Sequence, residues 1–383
     1  MNKPLRLGMV GGGLDAFIGK VHRIAARMDG EYILVCGVFS SQFEKTKATA
    51  LQLGISLSRV YETYEEMYAK EKLLSDDECM QVVSIVTTNH LHFLPSKLAL
   101  ENGYHVVLDK PMTFNLAEAI ALERVLENSS QLLCLTHTYT GYPMIKQARA
   151  MIAINSFGAI RKVYVEYPQG WLSRDIENEN QKQASWRTDP TKSGIAGAMG
   201  DIGTHAFNLA EYVTGLQVTA LSAQINTVVA NRKLDDDGAV LLTFNNGATG
   251  TLIATQVAAG AENNIKISVF GEKGGIEWQQ ENCNSLTVKW LDKPTQIYRA
   301  GNDYLEPIAK HNCRTPAGHP EGYLEAFANL YRNFALTIKA KAKGENPKAA
   351  YMDYPGIKEG VRGILFIEKV IESGQSQNKW IEL

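Results

Sequence analysis

Short apolar runs alternate with helical patterns through the first third of this 383-residue chain. The first run, Leu5 to Val10, leads directly into Gly11-Gly12-Gly13. Four more apolar runs follow it, at Tyr32 to Phe39, Val82 to Thr87, His105 to Leu108 and Leu132 to His137. Because strands of this length alternate with helices, the pattern predicts a parallel sheet that is covered on both faces. In such sheets, ligands bind beyond the carboxyl ends of the strands.

The pattern changes after about residue 145, and turn signals such as Asn245-Asn246-Gly247 now separate the apolar runs. This spacing predicts hairpins in an antiparallel sheet. The predicted strands are Arg161 to Pro168, Leu221 to Val229, Val240 to Phe244, Gly250 to Val257, Ile265 to Phe270, Gly275 to Trp278 and Leu286 to Trp290. Two helical segments follow, Glu321 to Lys339 and Ile357 to Ser373.

Composition narrows the class of protein. Apolar residues make up 45% of the chain and charged residues 21%, and the net charge is −2. These values predict a soluble protein with a full core and no general attraction to nucleic acid or to an anionic membrane. The five cysteines are scattered without zinc spacing, so we expect no structural metal and a reducing compartment. Because no signal segment or membrane span is recognisable, we expect a cytoplasmic protein.

The glycines after the first strand predict a dinucleotide site. Glycine permits a tight turn and close approach of the backbone to a pyrophosphate, and the following helix presents its amides. The spacing departs from G-x-G-x-x-G, because the glycine that follows Gly11 and Gly13 is Gly19. A plain turn between strand and helix is the alternative. The predicted cofactor contacts in this loop are Gly11, Gly13, Leu14, Phe17 and Ile18.

The second strand ends in Ser40-Ser41, without an acidic residue for the ribose of NAD or an arginine for the 2′-phosphate of NADP. Ser40 or Ser41 could bind a ribose, and Lys45 could bind a phosphate. We expect NAD, and the sequence leaves NADP open.

Polar residues follow the third and fourth strands. The third strand ends in Thr87-Thr88-Asn89-His90-Leu91-His92, and the fourth in Asp109-Lys110-Pro111. At the carboxyl end of a buried strand, the Lys110 ammonium could bind a substrate hydroxyl and shift the pKa of its neighbours. A solvated turn is the alternative interpretation.

Gly200-Asp201-Ile202-Gly203-Thr204-His205 precedes a helical pattern. Because residues four apart share a helix face, Asp201 could orient the His205 imidazole. An aspartate N-cap followed by a packed histidine explains the same residues.

Together these segments resemble the family of glucose–fructose oxidoreductase, inositol dehydrogenase and rhizopine-catabolism proteins over nearly the whole chain. The resemblance lies in Gly19-Lys20-Val21-His22, the Thr-x-Asn-x-x-His stretch at 87–92, Asp109-Lys110-Pro111, and Gly200-Asp201 with His205. Two later segments, Trp186-Arg187-Thr188-Asp189-Pro190 and Gly318-His319-Pro320-Glu321-Gly322-Tyr323, are similar to a sugar-oxidising subgroup that includes levoglucosan dehydrogenase-like proteins.

The resemblance implies an α/β protein with an N-terminal Rossmann domain, residues 1–140, and a C-terminal α/β domain on an open, mostly antiparallel sheet, residues 141–383. It also implies a homodimer or homotetramer, and that Lys110, Asp201 and His205 meet over the nicotinamide. Further cofactor contacts are expected at Thr87, Asn89, His92, Asp109, Lys110, Trp186 and Arg187. Substrate contacts are expected at Lys110, Tyr139, Tyr142, Gln169, Trp171, Asp201, His205 and His319.

The predicted reaction is reversible oxidation of a secondary hydroxyl of a sugar, glycoside or inositol by hydride transfer to NAD. His205 is the expected general base, although Lys110 could accept the proton instead. Two alternatives stay open at this point: an NAD-dependent glycosidase that oxidises its sugar transiently, and a cofactor-sensing regulator without turnover.

Overall fold

The computed structural model describes residues 3–179 and 181–383. They divide into two compact units, Met1–Thr138 with Tyr323–Val361, and Tyr139–Gly322 with Arg362–Leu383. The predicted boundary at residue 140 lies close to the first division. The predicted C-terminal domain, residues 141–383, includes residues 323–361, whereas the structure places these residues in the first unit. An apolar helix face shows that a partner exists but does not identify it.

The first unit contains a five-stranded parallel sheet, as predicted, and its strand order is β2-β1-β3-β4-β5. Its strands are β1 (Leu5–Gly11), β2 (Tyr32–Val38), β3 (Val82–Val86), β4 (His105–Leu108) and β5 (Leu133–Leu135). Its helices are α1 (Phe17–Met28), α2 (Phe43–Leu53), α3 (Tyr64–Glu71), α4 (Phe93–Glu101), α5 (Leu116–Glu127) and α11 (Tyr323–Ala342). The strand order reverses at β1, so the crevice between the carboxyl ends of β1 and β3 is where this fold binds ligands.

Helix α11 belongs to this unit because its apolar face completes the core on one side of the sheet. Phe327, Tyr331 and Phe334 are buried in one cluster with Val21 and Ala25 of α1. Burying aromatic side chains of this size stabilises a core by roughly 2–3 kcal/mol each. Residues 323–361, which contain α11, are therefore part of the first unit although they lie near the end of the chain.

The second unit contains a nine-stranded sheet with the order β13-β12-β11-β10-β6-β9-β8-β7-β14. Only the β6–β9 pairing is parallel among these described strands, which confirms a mostly antiparallel sheet. The strands are β6 (Ile160–Pro168), β7 (Val218–Asn226), β8 (Asp237–Phe244), β9 (Thr249–Thr255), β10 (Lys266–Gly271), β11 (Gly274–Gln279), β12 (Ser285–Trp290), β13 (Gln296–Arg299) and β14 (Trp380–Glu382).

Along the chain, the helices of the second unit lie before the first strand of its sheet, between its strands and before its last strand. They are α6 (Pro143–Ala153), α7 (Lys182–Arg187), α8 (Pro190–Ser193), α9 (Thr204–Thr214), α10 (Pro307–His311) and most of α12 (Ile357–Gln375). A π-helical turn, Met199–Gly203, leads directly into α9. No helix in the described part of the chain has both the length and the apolarity to cross a membrane.

Acid is expected to destabilise the first unit through His105. The backbone N–H of Leu132 donates to Nδ1 of His105 at 3.0 Å, so this nitrogen must stay unprotonated in the fold. Burial, with a smaller contribution from the Lys341 charge, lowers the pKa of His105 from 6.5 to about 4. The unfolded chain takes up this proton below about pH 6.5 and the folded chain does not. The His105 contribution is therefore complete above pH 6.5 and lost as the pH falls towards 4.

His105 is expected to account for about 3 kcal/mol of the loss in the free energy of unfolding between pH 6.5 and pH 4. Urea unfolding at several pH values measures it. His105→Asn is the matched variant, because the asparagine carbonyl can accept from Leu132 but does not titrate. If wild type and variant lose stability in parallel over this range, His105 is not the group responsible.

Candidate active site

The glycine turn after β1 is built from close backbone contacts. Gly11 and Gly12 adopt φ values of 82° and 70°, which favour glycine. A Cβ on Gly19 would collide with the backbone of Gly12, and one on Gly13 would lie 3.0 Å from the carbonyl oxygen of Phe39. Gly19 thus permits the close helix–strand packing for which the third glycine of the usual motif is needed. The longer loop is accommodated between Gly13 and Gly19.

The start of α1 suits a pyrophosphate. Ala16 is the N-cap residue and offers no side-chain acceptor to the amides of the first turn. Such amides, at the positive end of a helix dipole, bind anions. Leu14 and Phe17 are 42% and 67% exposed in this loop, whereas Ile18 packs against the core and can offer only its backbone. The loop therefore fits the phosphates of a dinucleotide.

The segment after β2 is a closed turn. The hydroxyl of Thr46 accepts from the N–H of Ser40 at 3.0 Å, and the hydroxyl of Ser40 accepts from the N–H of Gln42 at 3.2 Å. Ser41 and Lys45 are exposed. Both serines and Lys45 stay candidates for the ribose and phosphate contacts.

His92 connects the segments that follow β3 and β4. Its ring is buried, with Nδ1 2.8 Å from the carbonyl oxygen of Pro111 and Nε2 3.1 Å from that of Thr87. Burial lowers the pKa of this imidazole. Because backbone carbonyls face both ring nitrogens, these contacts favour a positioning role for His92 over the direct cofactor contact that the resemblance implies. Asn89 is buried nearby, and the hydroxyl of Thr87 donates to the carbonyl of Leu91 at 3.0 Å.

Asp109 holds the backbone of Lys110. Its Oδ1 accepts from the N–H of Lys110 at 3.0 Å and from the hydroxyl of Thr136 at 2.9 Å. Burial raises the pKa of this carboxyl, but His22, Lys110 and His92 outweigh that effect and hold it well below its usual range. Asp109 is therefore an ionised group at the carboxyl end of β4, directly before the predicted catalytic lysine.

In the second unit, Asp201 lies in the π-helical turn and His205 in the first turn of α9. The Asp201 carboxylate accepts from Nε2 of Gln256 at 2.9 Å and lies 3.3 Å from Nε of Arg187. The N-cap residues of the π-helical turn and of α9 are Ala198 and Gly203, and neither makes a side-chain capping bond. The aspartate is thus a paired group and not the N-cap that the simpler interpretation of the sequence would require.

A ring of phenol and carboxamide groups surrounds this pair. The Tyr139 ring meets the His205 ring edge-on at 5.0 Å, and its hydroxyl bonds that of Tyr167. Asn263 Oδ1 accepts from Tyr167 at 2.7 Å and from Gln169 at 2.5 Å. Oε1 of Gln169 in turn accepts from Trp171 at 2.9 Å and from Gln256 at 3.3 Å. The network therefore runs continuously from Asp201 to Tyr139.

Other predicted site residues differ in their exposure and in their contacts with this network. The Arg187 guanidinium lies 4.3 Å over the Trp186 ring and 5.9 Å from that of Trp171, so its charge faces both aromatics and Asp201. Tyr142 is 2% exposed and stacks on Tyr139, which makes it a support for the site more than a substrate contact. His319 is exposed, in a loop whose N–H groups at Arg314 and Thr315 bond Glu321.

Asp235 fixes the segment that carries Asp201. Its carboxylate accepts from the N–H groups of Gly197 at 2.6 Å and Met199 at 2.8 Å, and burial raises its pKa. Its carbonyl accepts from Ala198 at 2.8 Å. Sequence reasoning missed Asp235, Gln256 and Asn263, because their partners are distant in the chain and no local spacing marks them.

Replacing Asp235 with asparagine is expected to weaken both the fold and the site. The amide would point an N–H towards one of two buried N–H groups, which costs about 1–3 kcal/mol. We expect that loss in urea unfolding, with a lower kcat because Asp201 is less well held. Asp237→Asn, which changes a more exposed bond to Asn226, is the control. Equal effects of the two variants would contradict this role for Asp235.

Family models match both units. The model described as the oxidoreductase family with an NAD-binding Rossmann fold matches residues 5–137, and that of the GFO/IDH/MocA C-terminal domain matches residues 145–277. The chain belongs to the GFO/IDH/MocA oxidoreductase family. This confirms the resemblance, the fold class and an NAD-binding oxidoreductase.

Members of the GFO/IDH/MocA family that are similar to this chain match it along nearly its full length. The uncharacterized oxidoreductase YfiI of Bacillus subtilis is 33% identical, with 100% of this chain and 98% of the relative covered. Levoglucosan dehydrogenase of Pseudarthrobacter phenanthrenivorans is 26% identical, with 99% and 98% covered. The crystal structure of an inositol dehydrogenase homolog from Azotobacter vinelandii, complexed with NADH and myo-inositol, has a TM-score of 0.92 at 33% identity, with 100% and 98% covered.

Proposed function

We propose that this oxidoreductase is an NAD-dependent dehydrogenase that reversibly oxidises a secondary hydroxyl of an inositol, sugar or glycoside to a ketone. The observation that carries the proposal is the Asp201 carboxylate, bound by Gln256 and Arg187 just before His205 and enclosed by carboxamide and phenol groups. Relatives that act on levoglucosan or bind myo-inositol support the substrate class.

His205 is the proposed general base that removes the hydroxyl proton. Positioned proton transfer of this kind contributes about 10²–10⁴-fold to a rate. Asp201 orients the imidazole and stabilises the positive charge that the ring gains. Lys110 donates a hydrogen bond to the oxygen as it becomes a carbonyl, or accepts the proton in place of His205. When bound, NAD supplies the hydride acceptor, C4 of the nicotinamide.

The polar network is the proposed substrate-binding surface. Gln169 and Trp171 are partly exposed and can exchange hydrogen bonds with ring hydroxyls, and Tyr139 borders His205. Aromatic rings next to amide groups suit a ring with apolar faces and polar edges. His319 stays a proposed substrate contact. The proposed cofactor contacts are Gly11, Gly13, Leu14, Phe17, Ile18, Ser40, Ser41, Lys45, Thr87, Asn89, Asp109, Lys110, Trp186 and Arg187.

We also propose a homodimer or homotetramer in the cytoplasm. Three apolar side chains on neighbouring strands of the nine-stranded sheet support an interface there: Tyr164 is 47% exposed, Leu241 51% and Ile253 39%. Light scattering on the purified protein tests it, and a monomer at micromolar concentration would contradict it.

A cofactor-reduction screen tests the reaction. NAD and NADP are offered with myo-inositol, scyllo-inositol, glucose, levoglucosan and glucosides, and absorbance of the reduced nicotinamide is followed. We expect sustained reduction of NAD with at least one uncharged polyol or sugar. Release of an aglycone without net NADH would support the glycosidase alternative instead, and no turnover with any substrate would contradict the proposal.

A further inference from the structure

A buried cluster of polar side chains lies below the carboxyl ends of β3 and β4 in the first unit. His22 of α1, Ser84 of β3 and Tyr331 of α11 are each at most 1% exposed. Nδ1 of His22 lies 2.7 Å from the hydroxyl of Tyr331 and 3.2 Å from that of Ser84, and the two hydroxyls are 2.8 Å apart. Three elements that are distant in sequence thus place hydrogen-bonding groups around one imidazole.

The other ring nitrogen of His22 faces Asp109. Nε2 is 3.8 Å from Oδ1 of Asp109, too long for a hydrogen bond, and it has no hydrogen-bond partner among the residues that the structure describes. Oδ1 already accepts from the N–H of Lys110 and the hydroxyl of Thr136. His22 therefore acts on this carboxylate through an oriented dipole or charge, and Asp109 in turn bonds the backbone of Lys110.

One tautomer of a neutral His22 suits the groups that face both of its ring nitrogens. If Nε2 were bare, its lone pair would face a carboxylate oxygen in a buried region of low dielectric constant, which is unfavourable. A proton on Nε2 points a donor at Asp109 and leaves Nδ1 to accept from Tyr331. Tyr331 can then accept from Ser84. The two hydroxyls thus satisfy Nδ1, and the Nε2–H group faces the Asp109 carboxylate at 3.8 Å.

We infer that His22 is a positioning residue for Lys110: its Nε2–H tautomer, fixed by Tyr331 and Ser84, holds the Asp109 carboxylate that orients the lysine backbone. The kinetic part of this inference rests on the proposed dehydrogenase function. The packing supports a fixed ring, because Phe327 meets the imidazole edge-on at 4.7 Å with an interplanar angle of 69°. In metal sites, removing the partner that orients a ligating histidine costs about 10–100-fold in affinity or activity, and we expect an effect at the lower end of that range here.

The tautomer can be measured without substrate or cofactor. In protein labelled with ¹⁵N-histidine, two-dimensional NMR separates Nε2–H, Nδ1–H and doubly protonated rings, and the His22 signal is assigned by its loss in His22→Gln. We expect the Nε2–H tautomer at pH 7.5. Tyr331→Phe should shift the Nδ1 resonance, whereas Tyr32→Phe should not, since Tyr32 donates only to the backbone carbonyl of Tyr331. A proton on Nδ1 overturns the inference.

Two substitutions of His22 separate the role of its Nδ1 acceptor from that of its Nε2 donor. Asparagine can replace the Nδ1 acceptor but offers no donor towards Asp109, whereas glutamine can place an N–H near the position of Nε2. We expect His22→Asn to lower kcat about tenfold, with a smaller change in the dissociation constant of NAD, and His22→Gln to recover most of the rate. Urea unfolding of both variants controls for folding.

Wild-type kcat in His22→Asn, or a loss of NAD affinity in place of kcat, would overturn the positioning role. If the wild-type protein oxidises no polyol or sugar, the proposed function fails, and the NMR measurement still decides the tautomer of His22.

Discussion

Replacing Lys110 with methionine is expected to lower kcat for polyol oxidation by about 10²–10⁴-fold, with a much smaller loss of NAD affinity, since Lys110 is also a proposed cofactor contact. Methionine keeps much of the length of the side chain but removes the ammonium, which is the group proposed to bind the reacting oxygen. The backbone N–H that Asp109 accepts is retained, so the turn after β4 should persist. Stopped-flow NADH absorbance gives kcat, and quenching of protein fluorescence gives the NAD dissociation constant.

Lys70→Met is the control for Lys110, because Lys70 is an exposed lysine of the same unit that pairs with Glu66. It should leave kcat and NAD affinity at wild-type values. Full turnover in Lys110→Met would remove the lysine from the mechanism. Lys110→Arg adds a further test: arginine keeps the charge but has a different shape, so it should restore little of the rate.

Replacing His205 with asparagine is expected to lower kcat by a similar factor while the protein stays folded and binds NAD. The general base is lost, and the asparagine amide can still occupy the space beside Tyr139. Urea unfolding, NAD affinity and kcat are measured on one preparation. Thr214→Val, which removes a 2.7 Å hydroxyl bond to the carbonyl of Ala210 on the same helix, controls for a general weakening of α9.

The two variants together decide which residue takes the proton. If His205 is the base, His205→Asn should be at least as slow as Lys110→Met. A clearly faster His205→Asn would assign the proton to Lys110. Unfolding of His205→Asn without a separate loss of kcat would support the packed-histidine interpretation instead.

The parallel sheet of the first unit is well predicted from the sequence, because its buried strands are continuous apolar runs. The turn after β1 is also marked, because Gly11 and Gly12 have positive φ values that favour glycine. Sequence reasoning misses β13 and β14, which are short strands with too few residues to show a period. It also misplaces α11, since amphipathicity shows a buried face without naming the sheet that covers it.

At the site, spacing along the chain identifies Asp201 and His205 but not what holds them. The π-helical turn changes the relation between the two residues, and no local pattern predicts it. Gln256 directly follows β9, Asn263 lies in the loop before β10, and Asp235 lies before β8. Tertiary contacts of this kind appear only when the sheet is assembled.

Transfer of deuterium from a labelled polyol to NAD tests the central claim most directly. Inositol carrying deuterium on its ring carbons is incubated with the wild-type protein and NAD, and the nicotinamide product is analysed by mass spectrometry. The proposed reaction predicts NADH with one deuterium at C4 and an equal amount of inositol ketone. Unlabelled NADH, or no NADH with any deuterated sugar or inositol that the protein binds, would contradict oxidation by hydride transfer.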